Sequence, residues 1–369
     1  MSVAASLRRQ WIPIAGGSCD VRFGYGALDA ASTLFKTAVG SPRMCMAVLR
    51  EDTNEDLVES LRRQLVNAGY EVCWYRMGKD APRSLEEAAG LANAFAQAGI
   101  TGDDLCCALG DADAMSVASY VCGSWCGGVS LVAVPTDEIA FLEGALVPNA
   151  LEVAGKPMML SVRPSVRHVL LDLDLALSEP GSETSLYARA LMVAAAMAGS
   201  ERVFSELWDR ADAIASGDEG VTVDQLLATA KSRGQTVSSN AVAVRQSLDY
   251  GRAFAHALQG IAGTQLNGSA LLAEAFRFCA RIAVGLEKVS IDDMLAQDEL
   301  LDALGIGTVA CDIAPEALVA ALKDELFLRS NRFMLLVPFG IGRVRLATIP
   351  DELLVEHATA WCAAHSTQQ

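Results

Sequence analysis

Residues 105–113 read LCCALGDAD, a short apolar run that stops at Gly110 and is followed at once by acidic residues. An apolar run of this length, bounded by glycine, is typical of a strand buried on both faces. From Asp113 to Cys122 the pattern favours a helix. A buried strand that leads directly into a helix predicts a parallel sheet covered by helices.

The same alternation extends outward over residues 20–174. Further strands are predicted at residues 44–49, 70–75 and 129–134, and helices at residues 54–68 and 84–98. Ser84 and Glu87 form a candidate capping box, and Gly99 is a candidate helix stop. Residues 1–178 are therefore predicted to form an α/β, Rossmann-like domain of the nucleotide-binding type with a parallel sheet.

The character of the chain changes after about Leu175, with a boundary predicted at the Pro180, Gly181 and Ser182 cluster. Residues 179–369 are predicted to form a mainly helical domain with a small terminal β-hairpin. Helices are predicted at residues 185–198, 202–216, 222–232, 241–258, 268–284, 290–304 and 314–326, and the hairpin strands at 333–338 and 343–347.

The composition excludes several classes of protein. The net charge of −16 argues against a sequence-independent nucleic-acid binder, which needs a basic face. No apolar run is long enough to span a membrane, and no apolar region follows Arg8 and Arg9 as it would in a signal peptide. The ten cysteines form no CxxC pair, which favours reduced, buried thiols over a zinc site. We therefore expect a cytoplasmic protein without nucleic-acid or membrane partners.

Five segments together resemble the dehydroquinate synthase family, part of the sugar-phosphate cyclases. Residues 247–257 (SLDYGRAFAHA) resemble the family motif LNFGHTFGHA, and residues 108–113 (ALGDAD) stand in place of ALGGGVVGD. Residues 134–137 (VPTD), 155–157 (GKP) and 323–326 (KDEL) resemble VPTT, GKN and DKK in the same order. The resemblance implies the dehydroquinate synthase fold and a homodimer. The resemblance also implies that an active member would use NAD and a divalent metal.

The residues at the metal-ligand positions are not ligands. The resemblance places Leu191 where the family has a glutamate, and Arg252 and Asn267 where it has two histidines. A guanidinium is always protonated and repels a cation. The chain has only four histidines, His168, His256, His357 and His365, and their positions suggest no other metal cluster. We expect no bound divalent metal.

The nucleotide loop has lost two of its three glycines. Gly110 and Thr136 are the remaining candidates for binding a cofactor, while Asp111 and Asp113 would face a pyrophosphate, at a cost on the order of 1–4 kcal/mol. Asp137 adds a third carboxylate where VPTT has its second threonine. The alternative is that an aspartate near a helix start caps the helix. Either way, we expect NAD binding to be weak or absent.

Several basic residues survive where the family binds its anionic substrate. The resemblance places Lys231 and Arg245 at two such positions, and His256 at the histidine that relays protons. With Arg252 and Lys156 they are candidates for binding a small anion, because guanidinium groups suit phosphate and carboxylate. The alternative is structural: Arg245 would pair with Asp249, and His256 would be a satisfied helix histidine.

Three functions are consistent with these residues. The first is a dehydroquinate synthase-like protein that has lost the metal- and NAD-dependent activity and serves as a binding or regulatory protein. The second is a working 3-dehydroquinate synthase or related cyclase. The resemblance implies that it would convert 3-deoxy-arabino-heptulosonate 7-phosphate to 3-dehydroquinate and phosphate, in the shikimate pathway. The third is a metal-independent enzyme that uses Lys231, Arg245 and His256.

Overall fold

The computed structural model describes residues 7–161 and 166–366. The chain divides into two compact units, Met1–Ser178 and Glu179–Gln369.

The first unit is built on a seven-stranded sheet with the order β1-β2-β9-β6-β5-β3-β4. Its strands are β1 (Arg8–Ile14), β2 (Gly17–Gly24), β3 (Met44–Arg50), β4 (Glu71–Met77), β5 (Leu105–Gly110), β6 (Ser130–Pro135) and β9 (Val166–Asp172). All neighbouring strands are parallel except β1 and β2, which form an antiparallel hairpin. A separate hairpin pairs β7 (Leu151–Val153) with β8 (Lys156–Leu160). The predicted parallel α/β architecture is confirmed.

Helices connect the parallel strands and cover the sheet. They are α1 (Ser32–Ala38), α2 (Glu55–Ala68), α3 (Leu85–Ala98), α4 (Ala112–Ser124) and α5 (Leu173–Ala176), with a π-helical segment at Ala140–Ala145. Strands β3 and β5 are buried along their whole length because both of their faces are covered. All ten cysteines are free, and Cys106 and Cys107 lie buried in β5.

The capping box predicted at the start of α3 forms only in part. The Ser84 hydroxyl accepts a hydrogen bond from the Glu87 backbone N–H, as predicted. The reciprocal bond is replaced, because the Ser84 N–H donates to the Pro82 carbonyl and the Glu87 carboxylate accepts from the Tyr75 hydroxyl. Gly99 ends the helix in the left-handed region, as its position predicts.

The second unit is mainly helical. Its helices are α6 (Glu183–Gly199), α7 (Glu201–Trp208), α8 (Ala211–Ala215), α9 (Glu219–Ser238), α10 (Val242–Arg245), α11 (Arg252–Ile261), α12 (Gly268–Gly285), α13 (Ile291–Ala303), α14 (Pro315–Phe327) and α15 (Asp351–His365). The predicted hairpin is present as β10 (Met334–Pro338) and β11 (Val344–Thr348). Within residues 7–161 and 166–366, no helix is long and apolar enough to cross a membrane.

Two predicted helices are interrupted. The helix predicted over residues 241–258 breaks between α10 and α11, where Gly251 has φ +80°. A Cβ at Gly251 would lie 2.7 Å from Cε1 of Phe276, so the close approach to that ring requires glycine. The helix predicted over residues 202–216 breaks at Asp209 and Arg210, which separate α7 from α8.

Helix α15 was not predicted, and it contains two of the four histidines, His357 and His365. It is anchored by Glu274 of α12, whose carboxylate is 1% exposed and accepts hydrogen bonds from Trp361 Nε1 (3.0 Å) and Arg277 Nη1 (3.0 Å). His365 Nε2 lies 2.8 Å from the same carboxylate, while its Nδ1 lies 2.7 Å from the Trp361 carbonyl. Because both partners of the ring are acceptors, the protonated imidazole fits this site best.

Stability should depend on the charge of His365. Burial alone would lower the pKa of His365, but the hydrogen bonds to Glu274 and to the Trp361 carbonyl raise it above its usual range. The stabilisation is therefore present below the unfolded-state pKa and is lost as pH rises through the folded-state pKa. In urea denaturation, we expect the unfolding free energy of wild type to exceed that of His365→Gln by about 1–2 kcal/mol at pH 5.5. At pH 8.5 we expect a smaller difference.

The matched control is His357→Gln on the same helix. Burial lowers the pKa of His357, so the difference between wild type and this variant should change with pH in the opposite direction. A His365→Gln difference that does not change with pH would contradict the proposed charge on His365.

Candidate functional site

The carboxyl end of the first unit's sheet brings together the two predicted cofactor-binding residues. Gly110 ends β5, and its carbonyl accepts a hydrogen bond from the Thr136 N–H (3.1 Å) just after β6. Gly110 has φ +156°, and a Cβ there would lie 3.3 Å from Cβ of Ala114. Glycine thus allows α4 to begin immediately beside the strand.

Asp111 caps α4, although its side chain remains partly exposed. Its carboxylate accepts hydrogen bonds from the backbone N–H groups of Asp113 (3.1 Å) and Ala114 (2.9 Å), so the capping alternative is confirmed. The same carboxylate forms a two-pronged ion pair with Arg50, at 2.9 Å from Nε and 3.2 Å from Nη2.

Arg50 is the last residue of β3, and only 9% of its surface is exposed. Its Nη1 donates to the carbonyls of Gly78 (2.9 Å) and Ala81 (2.7 Å), which lie beyond β4. The sequence analysis missed this residue. The available signal was an arginine at the end of a strictly apolar run, because arginine is seldom buried without a partner.

Asp113 is also neutralised within the chain. Its carboxylate lies 2.6 Å from Nη1 of Arg83, whose Nε donates to the Ala150 carbonyl (3.3 Å). The expectation that Asp111 and Asp113 present bare carboxylates to a pyrophosphate therefore needs correction. Each acidic replacement in the loop has an arginine partner, and the arginines come from elements distant in sequence.

Asp137 follows β6 and starts the π-helical segment, where its side chain accepts a hydrogen bond from the Ala140 N–H (2.7 Å). Burial, together with the nearby carboxylates Asp111 and Glu138, raises the pKa of Asp137 to about 6, although the backbone hydrogen bond from Ala140 opposes the rise. Glu138 is itself buried and accepts hydrogen bonds from the backbone and hydroxyl of Ser178. This edge of the sheet is already crowded with negative charge.

Lys156 lies elsewhere, at the turn of the β7–β8 hairpin. Ala154 and Gly155 form the turn with φ of +49° and +73°, a pattern typical of a type I′ hairpin. The hairpin presents Lys156 to solvent. Its binding of an anion stays a prediction.

In the second unit, Arg252 occupies the first turn of α11, directly after Gly251. Its side chain is 12% exposed, and Nε lies 3.7 Å from the Asp249 carboxylate. The residue that the resemblance places at a metal-binding histidine is thus a largely buried guanidinium beside a carboxylate. Such a group compensates negative charge and supplies no lone pair to a metal.

The other two metal-ligand positions also lack suitable donors. Leu191 is buried in α6, and Asn267 is the N-cap residue of α12 without a capping hydrogen bond from its side chain. The helix is capped instead by Glu183, which accepts from the Ser269 N–H (2.7 Å) and hydroxyl (2.8 Å). Across the described part of the chain, no group of three or more His, Cys, Asp or Glu side chains is arranged to hold a metal ion.

His256 is paired with a carboxylate that the sequence analysis did not single out. His256 Nδ1 lies 3.2 Å from Glu325 of α14, which also binds Arg329. Burial alone would raise the pKa of Glu325, but the hydrogen bonds from His256 and Arg329 lower it. Glu325 lies in the segment that resembles DKK, with a carboxylate where that motif has its first lysine.

Two further residues predicted to bind an anion, Lys231 and Arg245, lie on different helices. Lys231 is exposed on α9, whereas the basic residue that α9 buries is Arg233, at 2% exposure. Arg245 donates to the Ser239 carbonyl (2.6 Å) instead of pairing with Asp249. The convergence of Lys231, Arg245 and Arg252 on one anion stays a prediction.

No family model matches the chain. The chain is 23% identical over 367 residues to a 3-dehydroquinate synthase of Corynebacterium jeikeium (strain K411), covering 97% of this chain and 98% of the relative. A solved 2-deoxy-scyllo-inosose synthase complexed with carbaglucose-6-phosphate, NAD+ and Co2+ matches with a TM-score of 0.79 at 15% identity, over 96% of this chain and 99% of that one.

A second solved structure also has a similar fold at low sequence identity. It is ValA, a 2-epi-5-epi-valiolone synthase from Streptomyces hygroscopicus subsp. jinggangensis 5008 with NAD+ and Zn2+ bound. Its TM-score is 0.75 at 14% identity, over 94% of this chain and 97% of that one. The resemblance expected from the motifs is confirmed, and the fold is that of the sugar-phosphate cyclases.

The raised pKa of Asp137 predicts a pH-dependent loss of stability. The folded state holds a proton at Asp137 up to about pH 6, whereas an unperturbed aspartate has a pKa of 3.8, so stability falls as pH rises between these values. Asp137→Asn keeps the oxygen that accepts from Ala140 and removes the charge. We expect this variant to be more stable than wild type at pH 7.5 by about 1–3 kcal/mol, and nearly equal at pH 4, in urea denaturation.

Asp103→Asn is the matched control, because Asp103 is exposed on a turn of the same unit. Its effect should be small at both pH values. A destabilising effect of Asp137→Asn at pH 7.5 would show that the ionised form of Asp137 is the favoured one.

Proposed function

We propose that this relative of the 3-dehydroquinate synthases is a non-catalytic, ligand-binding or regulatory protein that lacks their metal- and NAD-dependent activity. The observation that carries the proposal is Arg252, a largely buried guanidinium beside Asp249 at the position of a metal-binding histidine. A cation placed there would meet a fixed positive charge instead of an imidazole lone pair.

The chemistry of the surrounding donors supports the same proposal. A divalent metal needs several carboxylate or imidazole ligands. Leu191 supplies none, Asn267 supplies at most one weak donor, and the Glu183 carboxylate is already bonded to Ser269. Without a metal to polarise a carbonyl, oxidation and reduction of a sugar hydroxyl would lose several kcal/mol of transition-state stabilisation.

The internal pairing of charges supports it further. An enzyme that binds a phosphorylated sugar needs cationic groups whose charge is available to the ligand. Here His256 faces Glu325, Arg50 faces Asp111 and Arg83 faces Asp113. We further propose that any ligand is a small anion, bound by exposed lysines such as Lys231, and that the protein is a cytoplasmic homodimer like the family it resembles.

A working 3-dehydroquinate synthase, or a related cyclase, is the second candidate. The similarity to a curated synthase over 97% of the chain favours it, as do solved neighbours with NAD+ and Co2+ or Zn2+. A third candidate is a metal-independent enzyme, favoured by the pairing of His256 with Glu325, because a carboxylate can orient an imidazole for proton transfer.

An activity assay separates these candidates. The purified chain is mixed with 3-deoxy-arabino-heptulosonate 7-phosphate, NAD and Co2+ or Zn2+, and released phosphate is measured. We expect the rate to equal that of the buffer blank, because the metal has no ligand set. Phosphate release that depends on the added metal would overturn the proposal in favour of the synthase.

A gain-of-ligand variant tests the assignment of the three positions. Leu191→Glu, Arg252→His and Asn267→His are combined, and Co2+ binding is followed by visible absorption and by elemental analysis. We expect the triple variant to bind about one equivalent of metal and wild type to bind none. A folded triple variant that binds no metal would show that these residues do not occupy the ligand positions.

A further inference from the structure

Arg50 is hydrogen-bonded on two sides at the carboxyl end of the sheet. Its Nη1 is fixed by the carbonyls of Gly78 and Ala81, at 2.9 and 2.7 Å. The remaining donors, Nε and Nη2, form a fork that points at the Asp111 carboxylate. Because two carbonyls hold the guanidinium independently of Asp111, the fork should keep its position when the carboxylate is removed.

Asp111 also occupies the donors of a helix N-terminus. Its carboxylate takes the backbone N–H groups of Asp113 and Ala114 in the first turn of α4. Backbone N–H groups at a helix start and a guanidinium fork are the donors that bind phosphate groups in proteins. Here the Asp111 carboxylate accepts hydrogen bonds from both sets of donors.

Carboxylates outnumber arginines at this edge, because Asp137 and Glu138 lie there as well. Arg50 and Arg83 contribute two positive charges, and their partners Asp111 and Asp113 contribute two negative ones. The edge therefore offers an incoming anion no net attraction, and buried Asp137 lies close enough to Asp111 for the two carboxylates to repel each other. Removing the Asp111 carboxylate lowers the negative charge at this edge by one and leaves the Arg50 fork without its carboxylate partner beside the start of α4.

We propose that Asp111 is an intramolecular substitute for a bound diphosphate and keeps the nucleotide loop closed by an autoinhibitory contact with Arg50. The inference deepens the proposed function and rests on it, because it explains how a chain with the cyclase fold excludes dinucleotides. The ligand class that the contact excludes is a diphosphate, either free or as part of a dinucleotide. Because the contact depends on the Asp111 side chain, substituting Asp111 should remove it.

The test is calorimetric titration of the full chain with inorganic pyrophosphate and, separately, with NAD, in the absence of metal and sugar substrate. Asp111→Gly restores a glycine to the loop, and glycine at an N-cap costs only a few tenths of a kcal/mol. We expect Asp111→Gly to bind pyrophosphate at least about tenfold more tightly than wild type. Gain with pyrophosphate but not NAD would assign the site to free diphosphate; gain with both would assign it to dinucleotides.

Two further variants make the result specific to the Arg50 fork. Asp103→Asn removes the same charge from an exposed turn and should leave binding at the wild-type level. Arg50→Gln added to Asp111→Gly should abolish the gain, because the guanidinium fork is lost. If Asp111→Gly does not fold, Asp111→Asn keeps the capping oxygen, and we expect it to tighten pyrophosphate binding by at least about threefold.

The inference is overturned by a folded Asp111 variant that gains no affinity, by a gain that survives Arg50→Gln, or by wild type binding pyrophosphate as tightly as the variant. Its failure can be told apart from failure of the proposed function. Phosphate release from the sugar substrate by wild type would refute the proposed function together with the inference that rests on it, whereas an inactive wild type and an Asp111→Gly variant without gain would refute the inference alone.

Discussion

The pairing of Arg50 with Asp111 is the interaction on which the arrangement of the first unit's sheet edge depends. An arginine that ends a buried strand needs hydrogen-bonding partners, and the carbonyls of Gly78 and Ala81 supply some of them. Asp111 supplies the carboxylate partner and at the same time starts α4. One carboxylate thereby joins β3, β5 and α4, and it occupies the position at which a parallel α/β sheet usually binds a ligand.

The second unit follows the same rule with different residues. Glu183 caps α12, Glu325 pairs with His256, and Glu274 gathers Trp361, His365 and Arg277 around one buried carboxylate. In each case a charged group that could have faced a ligand is bonded to another part of the chain. Charged groups that are buried in this way need hydrogen-bonding partners, and here the chain supplies them itself.

These pairs also explain why similarity of fold and difference of site coexist in this chain. The fold depends on the apolar strands and on helix packing, which tolerate changes at the sheet edge and at helix starts. The chemistry of a site depends on a few side chains, and the resemblance places Arg252, the first residue of α11, where the family has a histidine.

The sequence alone determined the parallel sheet, the helical second unit and the terminal hairpin, because periodic burial of apolar residues is a local property of the chain. It also determined that Asp111 could cap a helix, since capping involves neighbours in sequence. It did not reveal the β1–β2 hairpin, because apolar and polar residues alternate poorly along the exposed edge strand β1. It also did not reveal α15, whose anchor Glu274 is 87 residues away from Trp361.

Only the tertiary structure decided which charges meet. Arg50 and Asp111 are 61 residues apart, and His256 and Glu325 are 69 apart, so no local pattern relates them. The break at Gly251 likewise depends on the Phe276 ring, which belongs to the next helix. Ion pairs and close approaches of this kind are set by the packing of distant elements, and the low dielectric of that packing makes each pairing obligatory.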